Sequence, residues 1–191
     1  NSLLDLLVFG KAAGNHIIAN VNPRQEHKPL PKDAADSTLS RLSRLDNCKD
    51  GEYCQDIAND MRAIMQTHAG VFRSQESMDE GVKKINALRE RIANIGLTDN
   101  SKVFNTARIE ALEVENLMEA AQATMTSAAA RKECRGAHLV RDYEHDVNHA
   151  TCPLGRNDAE WMKHTLWFKE GNSLDYKPVR MKPLTAETVP P

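Results

Sequence analysis

Cysteine and histidine side chains gather toward the C-terminal end of the sequence at spacings that could hold a metal ion. Five residues contribute to this pattern: Cys134, His138, His145, His149 and Cys152. Zinc prefers thiolate and imidazole ligands, but structural zinc sites usually take paired ligands from a C-x-x-C knuckle or from one helix. The sequence contains no C-x-x-C. We therefore interpret these residues as incidental cysteines and solvated histidines, and predict no metal site.

Nucleophilic catalysis is a second possibility in the same segment. Cys134 and His138 could form a thiol–imidazole pair, which requires a cysteine of lowered pKa. Only neighbouring arginine and lysine side chains favour the thiolate, so we interpret Cys134 as an ordinary thiol. The segment also carries a cationic loop, which consists of Arg131, Arg135, His138 and Arg141. Such a loop could face a carboxylate, a phosphate or acidic side chains of the same chain, and we expect internal ion pairing.

Composition argues against several classes of function. Lys plus Arg number 25 against 27 Asp plus Glu, a formal net charge of −2, which argues against nucleic acid as a partner. The nine glycines are scattered and form no phosphate-binding loop. No apolar run is long enough to insert across a bilayer. Aromatic residues make up only 5% of the 191 residues while strong helix formers abound, so we expect a mainly α fold with free thiols.

Residues 2–19 are predicted to form a helix that is apolar on more than one face. Its large apolar side chains include Leu3, Leu4, Leu6, Leu7, Val8, Phe9, Ile17 and Ile18. Such a helix needs burial on several sides. Ser2 and Asp5 form a cap-like S-x-x-D pattern, and a helix start at the second residue suggests truncation. Residues 21–34, which contain three prolines, are predicted to be a linker.

Residues 35–143 are predicted to form a helical bundle domain. Apolar periodicity indicates a short packing helix and then three amphipathic helices, over about residues 37–45, 54–72, 74–95 and 105–130. Short turns between the last three imply an antiparallel three-helix bundle, with Ile64, Leu88 and Leu117 in one core. Gly96 is expected to end the second of the three helices.

Residues 144–191 are predicted to hold a loop, a short β-hairpin and an extended tail. Residues 161–169 and 174–181 could pair across a short turn, with Trp167 and Phe168 packing on the bundle. The expected architecture is therefore mainly α. It combines an antiparallel three-helix bundle with an extra N-terminal helix and a short C-terminal β-hairpin and extended tail.

Four segments resemble, in the same order, motifs of one flavoprotein superfamily. Residues 1–14, N-S-L-L-D-L-L-V-F-G-K-A-A-G, resemble the N-S-L-L-[DE]-x-[LV]-V-F-G-[RK]-x-[AS] segment of succinate dehydrogenase, fumarate reductase and aspartate oxidase flavoproteins. Three further segments are similar to motifs of the succinate dehydrogenase branch: F-N-T-A-R at 104–108, R-K-E-C-R-G-A-H at 131–138 and W-M-K-H-T-L at 161–166.

The sequence departs from the family pattern at three places. Cys134 stands where the family loop usually has serine. The stretch between Tyr143 and Trp161 lacks the usual D-[FY]-P-x-R-D-D pattern. The tail stops at residues 190–191, where relatives usually continue to a terminal arginine and tyrosine. We therefore expect a chain that is clipped at both ends.

The resemblance implies the C-terminal part of a subunit that oxidises succinate to fumarate, or runs the reverse, by hydride transfer with covalently bound FAD. The family's catalytic residues would all lie outside this sequence. Ser2 and Leu3 match the family's flavin contacts at a helix start, where free N–H groups stabilise the negative charge of reduced flavin. Residues 1–20 would be the C-terminal helix of the FAD-binding domain. The chain alone would be inactive and hold no FAD.

The implied partners are the rest of the flavoprotein subunit, an iron–sulfur subunit and membrane anchor subunits, with electrons passing to quinone. The implied location is peripheral, on the cytoplasmic side of the bacterial inner membrane or the matrix side of the mitochondrial one. Fumarate reductase and L-aspartate oxidase flavoproteins are alternatives, although the last three motifs argue against aspartate oxidase. A free-standing helical adaptor is the alternative from another class, but it would have to cover its apolar first helix.

Overall fold

The computed structural model describes residues 2–24, 26–144 and 155–180. The helices in these residues are α1 (Ser2–Asn20), α2 (Asp36–Asn47), α3 (Cys54–His68), α4 (Gln75–Arg91), α5 (Thr106–Ala130) and α6 (Asp158–Trp161). The strands are β1 (Glu52–Tyr53), β2 (Phe72–Arg73), β3 (Ile95–Gly96), β4 (Leu139–Val140), β5 (Lys163–Phe168) and β6 (Ser173–Pro178). The mainly α class is therefore confirmed.

The chain separates into two compact units, residues 1–40 and 41–191. The first unit contains α1, a proline-containing stretch that is neither helix nor strand, and the start of α2. The second contains the bundle and the hairpin. No helix of the described residues is long and apolar enough to cross a membrane.

Helices α3, α4 and α5 form the predicted three-helix bundle, and every pair of them is in contact. Their core consists of Cys54, Ile57, Ala58, Met61, Ile85, Leu88, Ala111, Val114, Met118, Ala121 and Met125. Leu45 of α2 is fully buried in the same core. The side chain of Asn105 starts α5 by accepting a hydrogen bond from the Arg108 amide at 2.8 Å, which satisfies one free N–H of the first turn.

One predicted core residue of α5 lies largely outside the core. Leu88 is buried and Ile64 packs against the core, as predicted, but Leu117 is 49% exposed. Its neighbour Met118 is buried in the core, together with Val114, Ala121 and Met125. Since α5 is rich in alanine, its apolar periodicity fits more than one helical face, and a shift of one residue rotates the face by about 100°.

The end of α4 also differs from the prediction. The helix stops at Arg91 and one 3₁₀ turn follows at Ile92–Asn94. Gly96 does not cap the helix but lies in β3, where it pairs with Tyr53 of β1. A side chain there would bring its Cβ within 2.9 Å of the Gly51 Cα, so close backbone approach explains this glycine.

The predicted hairpin is present as the antiparallel pair β5–β6, with Lys163 opposite Pro178 and Phe168 opposite Ser173. Trp167 is half-buried, and its Nε1 donates a hydrogen bond to Asn172 Oδ1 at 2.6 Å. Phe168 points to the other face and is 47% exposed, so its predicted packing on the bundle is wrong. Strand alternation explains the difference, because neighbouring residues face opposite sides. The sequence did not predict the two-residue parallel pairs β1–β3 and β2–β4.

Candidate functional site

The first candidate region is the N-terminal end of α1, where Ser2 and Leu3 were predicted to contact flavin. The helix begins at Ser2, so Leu3 lies in its first turn, where backbone N–H groups have no helical acceptor. Leu3 is 83% exposed. A negatively charged group placed at this end would be stabilised by those N–H groups and by the helix dipole.

The rest of α1 presents a continuous set of exposed apolar side chains. They comprise Leu3, Leu4, Leu6, Leu7, Val8, Phe9, Ile17 and Ile18, each more than half exposed. Large contiguous apolar surfaces of this kind mark places where another protein surface packs. The helix therefore fits the prediction that it needs cover on several sides.

The second candidate region is the cationic loop, which is organised by a buried acid. Glu133 is fully buried. Its carboxylate accepts hydrogen bonds from Arg131 Nε at 2.9 Å, from Arg135 Nε at 2.8 Å and from the Asn157 amide at 2.9 Å. Burial alone would raise the pKa of the Glu133 carboxyl, but the bonds from Arg135, Asn157 and Arg131 outweigh it and hold that pKa below its usual value.

Arg131 ties this buried acid to the hairpin. Its guanidinium donates to the carbonyl of Trp161 at 2.6 Å, to the carbonyl of Lys163 at 3.0 Å and to Thr165 Oγ1 at 2.9 Å. It also lies 5.5 Å from the centre of the Trp161 ring. Arg131 thus connects the end of α5 to β5 through hydrogen bonds. The expectation of internal ion pairing is met by Arg131 and Arg135.

His138 is held in one tautomer by its neighbours. Its Nδ1 lies 2.8 Å from Arg73 Nη1, which can only donate, so Nδ1 accepts and Nε2 donates to the Arg131 carbonyl at 2.9 Å. Burial is the main cause that lowers the pKa of His138; the bond to that carbonyl opposes it, and the Arg73 and Arg131 charges add to the lowering. His138 is therefore a neutral structural link.

Cys134 is tied to the backbone of β4. Its Sγ donates to the Val140 carbonyl at 3.2 Å and accepts from the Val140 amide at 3.3 Å. A serine hydroxyl could make the same two bonds, which explains how the residue can replace the family serine. Since His138 bonds elsewhere, these two residues do not form a nucleophile–base pair. His145, His149 and Cys152 lie outside the described residues.

A groove of about 490 Å³ lies beside this network, between the end of α5 and β5. Its lining consists of Ser127, Ala128, Arg131, Arg135, His138, Trp161, Met162, Lys163, His164, Thr165 and Val179. Three of these residues are cationic, Arg131, Arg135 and Lys163, and no acidic residue of the described chain is among them.

Sequence reasoning missed the role of Glu133 as the buried centre of the cationic loop. The signal was present in the R-x-E-x-R spacing of Arg131, Glu133 and Arg135. In an extended segment, residues two apart project to the same side, so this spacing places an acid between two guanidinium groups. No pattern in the sequence indicated that Trp161 would be buried.

The chain is similar to known proteins along its whole length. A family model described as "Fumarate reductase flavoprotein C-term" matches residues 58–191. The chain is 40% identical to the succinate dehydrogenase flavoprotein subunit of Coxiella burnetii, over 100% of this chain and 31% of that protein. It is 39% identical to the mitochondrial succinate dehydrogenase flavoprotein subunit of Oryza sativa, over 98% of this chain and 28% of that protein.

Solved structures show the same relationship. An Escherichia coli quinol fumarate reductase FrdA variant matches with a TM-score of 0.76 and 30% identity, over 98% of this chain and 32% of that one. The chain spans about a third of the length of the relatives it matches. Because the family model covers residues 58–191, well over half of the chain, the protein belongs to the fumarate reductase flavoprotein C-terminal family.

Proposed function

We propose that this chain is the C-terminal part of the FAD-containing flavoprotein subunit of a succinate dehydrogenase. The complete subunit oxidises succinate to fumarate and passes electrons through an iron–sulfur subunit to quinone. The observation that carries the proposal is the 40% identity to a succinate dehydrogenase flavoprotein subunit along the entire chain. The oxidoreductase chemistry itself belongs to residues beyond this chain, which is inactive alone.

The proposal assigns a separate role to each part of the chain. Residues 1–20 are the last helix of the FAD-binding domain, residues 21–34 a linker, and residues 35–143 the helical domain. Ser2 and Leu3 then contact FAD. The free N–H groups of this helix end support that role, since reduced flavin gains negative charge at N1 and the C2 carbonyl. The exposed apolar side chains of α1 support burial against the rest of that domain.

Succinate oxidation is preferred over fumarate reduction because of the ranking of the relatives. Succinate dehydrogenase subunits of Coxiella burnetii and Oryza sativa are 40% and 39% identical to the chain, whereas at 34% a succinate dehydrogenase subunit of Xenopus laevis and the fumarate reductase flavoprotein subunit of Haemophilus influenzae match it equally. The two reactions share one chemistry in opposite directions. In the complete assembly the subunit is peripheral and is linked to the membrane through an iron–sulfur subunit and anchor subunits.

The test compares the 191-residue chain with the complete subunit encoded by its gene. The complete subunit is expected to show covalent flavin fluorescence after denaturation and succinate-dependent dye reduction, and the chain alone to show neither. L-Aspartate serves as the control substrate for the aspartate oxidase alternative. Flavin absorbance that stays with the 191-residue chain through gel filtration, or a complete subunit that uses aspartate and not succinate, contradicts the proposal.

A further inference from the structure

The groove beside β5 is lined by three cationic side chains, Arg131, Arg135 and Lys163, whose hydrogen-bond donors are not all used within the described residues. Glu133 accepts from both Arg131 and Arg135, and Arg135 Nη2 also donates to Asp158 at 2.6 Å. With its bonds to Trp161, Lys163 and Thr165, Arg131 uses every nitrogen of its guanidinium, whereas Arg135 Nη1 makes no hydrogen bond within the described residues. One guanidinium nitrogen of a residue that lines the groove therefore keeps unused N–H donors among the described residues.

Lys163 is the second residue with unused donors, and unlike the two arginines it has no acidic partner within the described residues. Its ammonium lies 4.7 Å from the centre of the Trp161 ring and 4.2 Å from that of Tyr176. No ion pair or hydrogen bond to this ammonium occurs among the residues that the structure describes. The ring faces stabilise a cation but leave its N–H donors unused, so the ammonium can still donate to an anion while it rests on the rings.

The remaining lining of the groove selects the kind of anion. Ala128, Trp161, Met162 and Val179 supply apolar surface next to the two cations. A bare inorganic anion would gain nothing from such surface, whereas an anion carried on a short hydrocarbon chain gains from both parts of the groove.

From these features we infer that the groove binds a carboxylate carried on a short aliphatic chain, with Lys163 and Arg135 as its cationic partners. The carboxylate comes either from an acidic side chain of a protein segment or from a free short-chain acid. The inference does not rest on the proposed function, because it uses only groups of this chain.

The two tryptophans of the chain allow a direct test by NMR. Trp161 lines the groove, whereas Trp167 lies outside its lining and already donates to Asn172. The indole N–H resonances of the ¹⁵N-labelled 191-residue chain are followed during titration with butyrate, with a glutamate-containing peptide, with inorganic phosphate and with sodium chloride at equal ionic strength. A saturable shift of the Trp161 resonance alone is expected with butyrate or with the peptide.

Lys163→Gln is expected to weaken that binding at least fivefold, and Lys163→Arg to retain it, because only the charge is kept in the second variant. Lys169→Gln is the matched control on the same hairpin, since Lys169 pairs with Glu119 and lies outside the groove lining. Dispersed indole resonances in each variant verify folding.

The titrations distinguish the two sources of the carboxylate. A response to butyrate identifies a free short-chain acid as sufficient, and a response to the peptide alone identifies a protein segment as the source. Equal shifts of both indole resonances, a phosphate response as strong as the butyrate response, or a chloride response that accounts for the whole shift overturns the inference. So does butyrate binding of unchanged strength in folded Lys163→Gln.

Discussion

The cationic loop and α1 differ in how far the chain itself covers or pairs their side chains. In the loop, Arg131 and Arg135 enclose Glu133, so residues that resemble a binding site are largely consumed by the chain itself. In α1, side chains with no chemistry of their own stay open, and Leu3 and Ile18 are 83% and 82% exposed. The comparison teaches that residue type alone does not mark the surface that acts. The side chains that a folded chain leaves exposed indicate its interaction surface better than residue type does.

The first prediction has the largest expected effect and tests whether Glu133 stabilises the cationic loop. Glu133→Gln keeps the size of the side chain but removes the charge that balances Arg131 and Arg135, and breaking a buried ion pair from one side costs about 3–5 kcal/mol. The free energy of unfolding of the 191-residue chain, measured by urea denaturation, should fall by about that amount. Glu113→Gln is the control, because Glu113 is exposed and its loss should change stability by less than about 0.5 kcal/mol. A loss below about 1 kcal/mol for Glu133→Gln would show that the loop tolerates an unbalanced pair of arginines.

The second prediction compares one residue type in the bundle and in α1. Ile85 is fully buried and Ile18 is 82% exposed. Ile85→Ala should lower the free energy of unfolding of the 191-residue chain by about 2–4 kcal/mol, through lost burial and a cavity. Ile18→Ala should change it by less than about 0.5 kcal/mol. Equal losses in the two variants would mean that α1 is covered by the chain itself, which would remove the contrast between the regions.

The sequence predicts those parts of the structure that depend on residues close together in the chain, and fails where distant residues meet. The starts of α4 and α5, which Ser74 and Asn105 cap, and the β5–β6 pair on either side of its turn depend on residues that are close together in the sequence. The pairing of Gly96 with Tyr53 joins residues more than 40 positions apart and carries no local signal. Leu117 of α5 was wrongly assigned to the core, because the many alanines of this helix leave more than one helical face apolar.

The same distinction applies to the candidate sites. Arg131 and Glu133 are two residues apart, so their ion pair could have been predicted from spacing in an extended segment. The position of the Lys163 ammonium beside the Tyr176 ring depends on the register of the hairpin, which neither strand's sequence determines alone. The role of Ser2 and Leu3 came from resemblance alone and stays a prediction.

The third prediction concerns the flavin-facing end of α1 in the complete subunit, and it rests on the proposed function. Leu3→Pro should keep the helix, because a first-turn N–H has no helical acceptor and proline suits this position; the helix start moves by about one residue, with Ser2 as cap. One N–H aimed at reduced flavin disappears. Losing a hydrogen bond to a charged acceptor costs about 1.5–3 kcal/mol, so the two-electron potential should fall by roughly 30–60 mV.

A redox titration of the flavin absorbance measures that potential in the Leu3→Pro variant and in the parent. Ile18→Ala is the matched control, since Ile18 lies near the other end of the same helix and should leave the potential unchanged. Covalent flavin content is compared in all three proteins. An unchanged potential in fully flavinylated Leu3→Pro would make this helix end structural only.

The fourth prediction has the smallest expected effect and concerns how the free energy of unfolding depends on pH through His138 of the cationic loop. The pKa of His138 is lowered in the folded state, mainly by burial, so the unfolded chain takes up the proton first as the pH falls. The stability that neutral His138 contributes is therefore complete above the unfolded pKa of about 6.5 and is lost as the pH falls from there toward the folded pKa.

The lowered pKa of Glu133 acts in the same direction at lower pH, because its stabilising charge is lost only as the pH falls below the usual range of a glutamate. Urea unfolding at pH 5.0 and 7.5 should thus show a less stable chain at pH 5.0. His138→Gln should reduce that difference, since an amide can accept from Arg73 and donate to the Arg131 carbonyl without titrating. His164→Gln, at an exposed position of β5, should leave the difference as it is in the parent. If His138→Gln retains the full pH difference, His138 is not the group that carries it, and the acid sensitivity must be assigned to carboxylates of the chain.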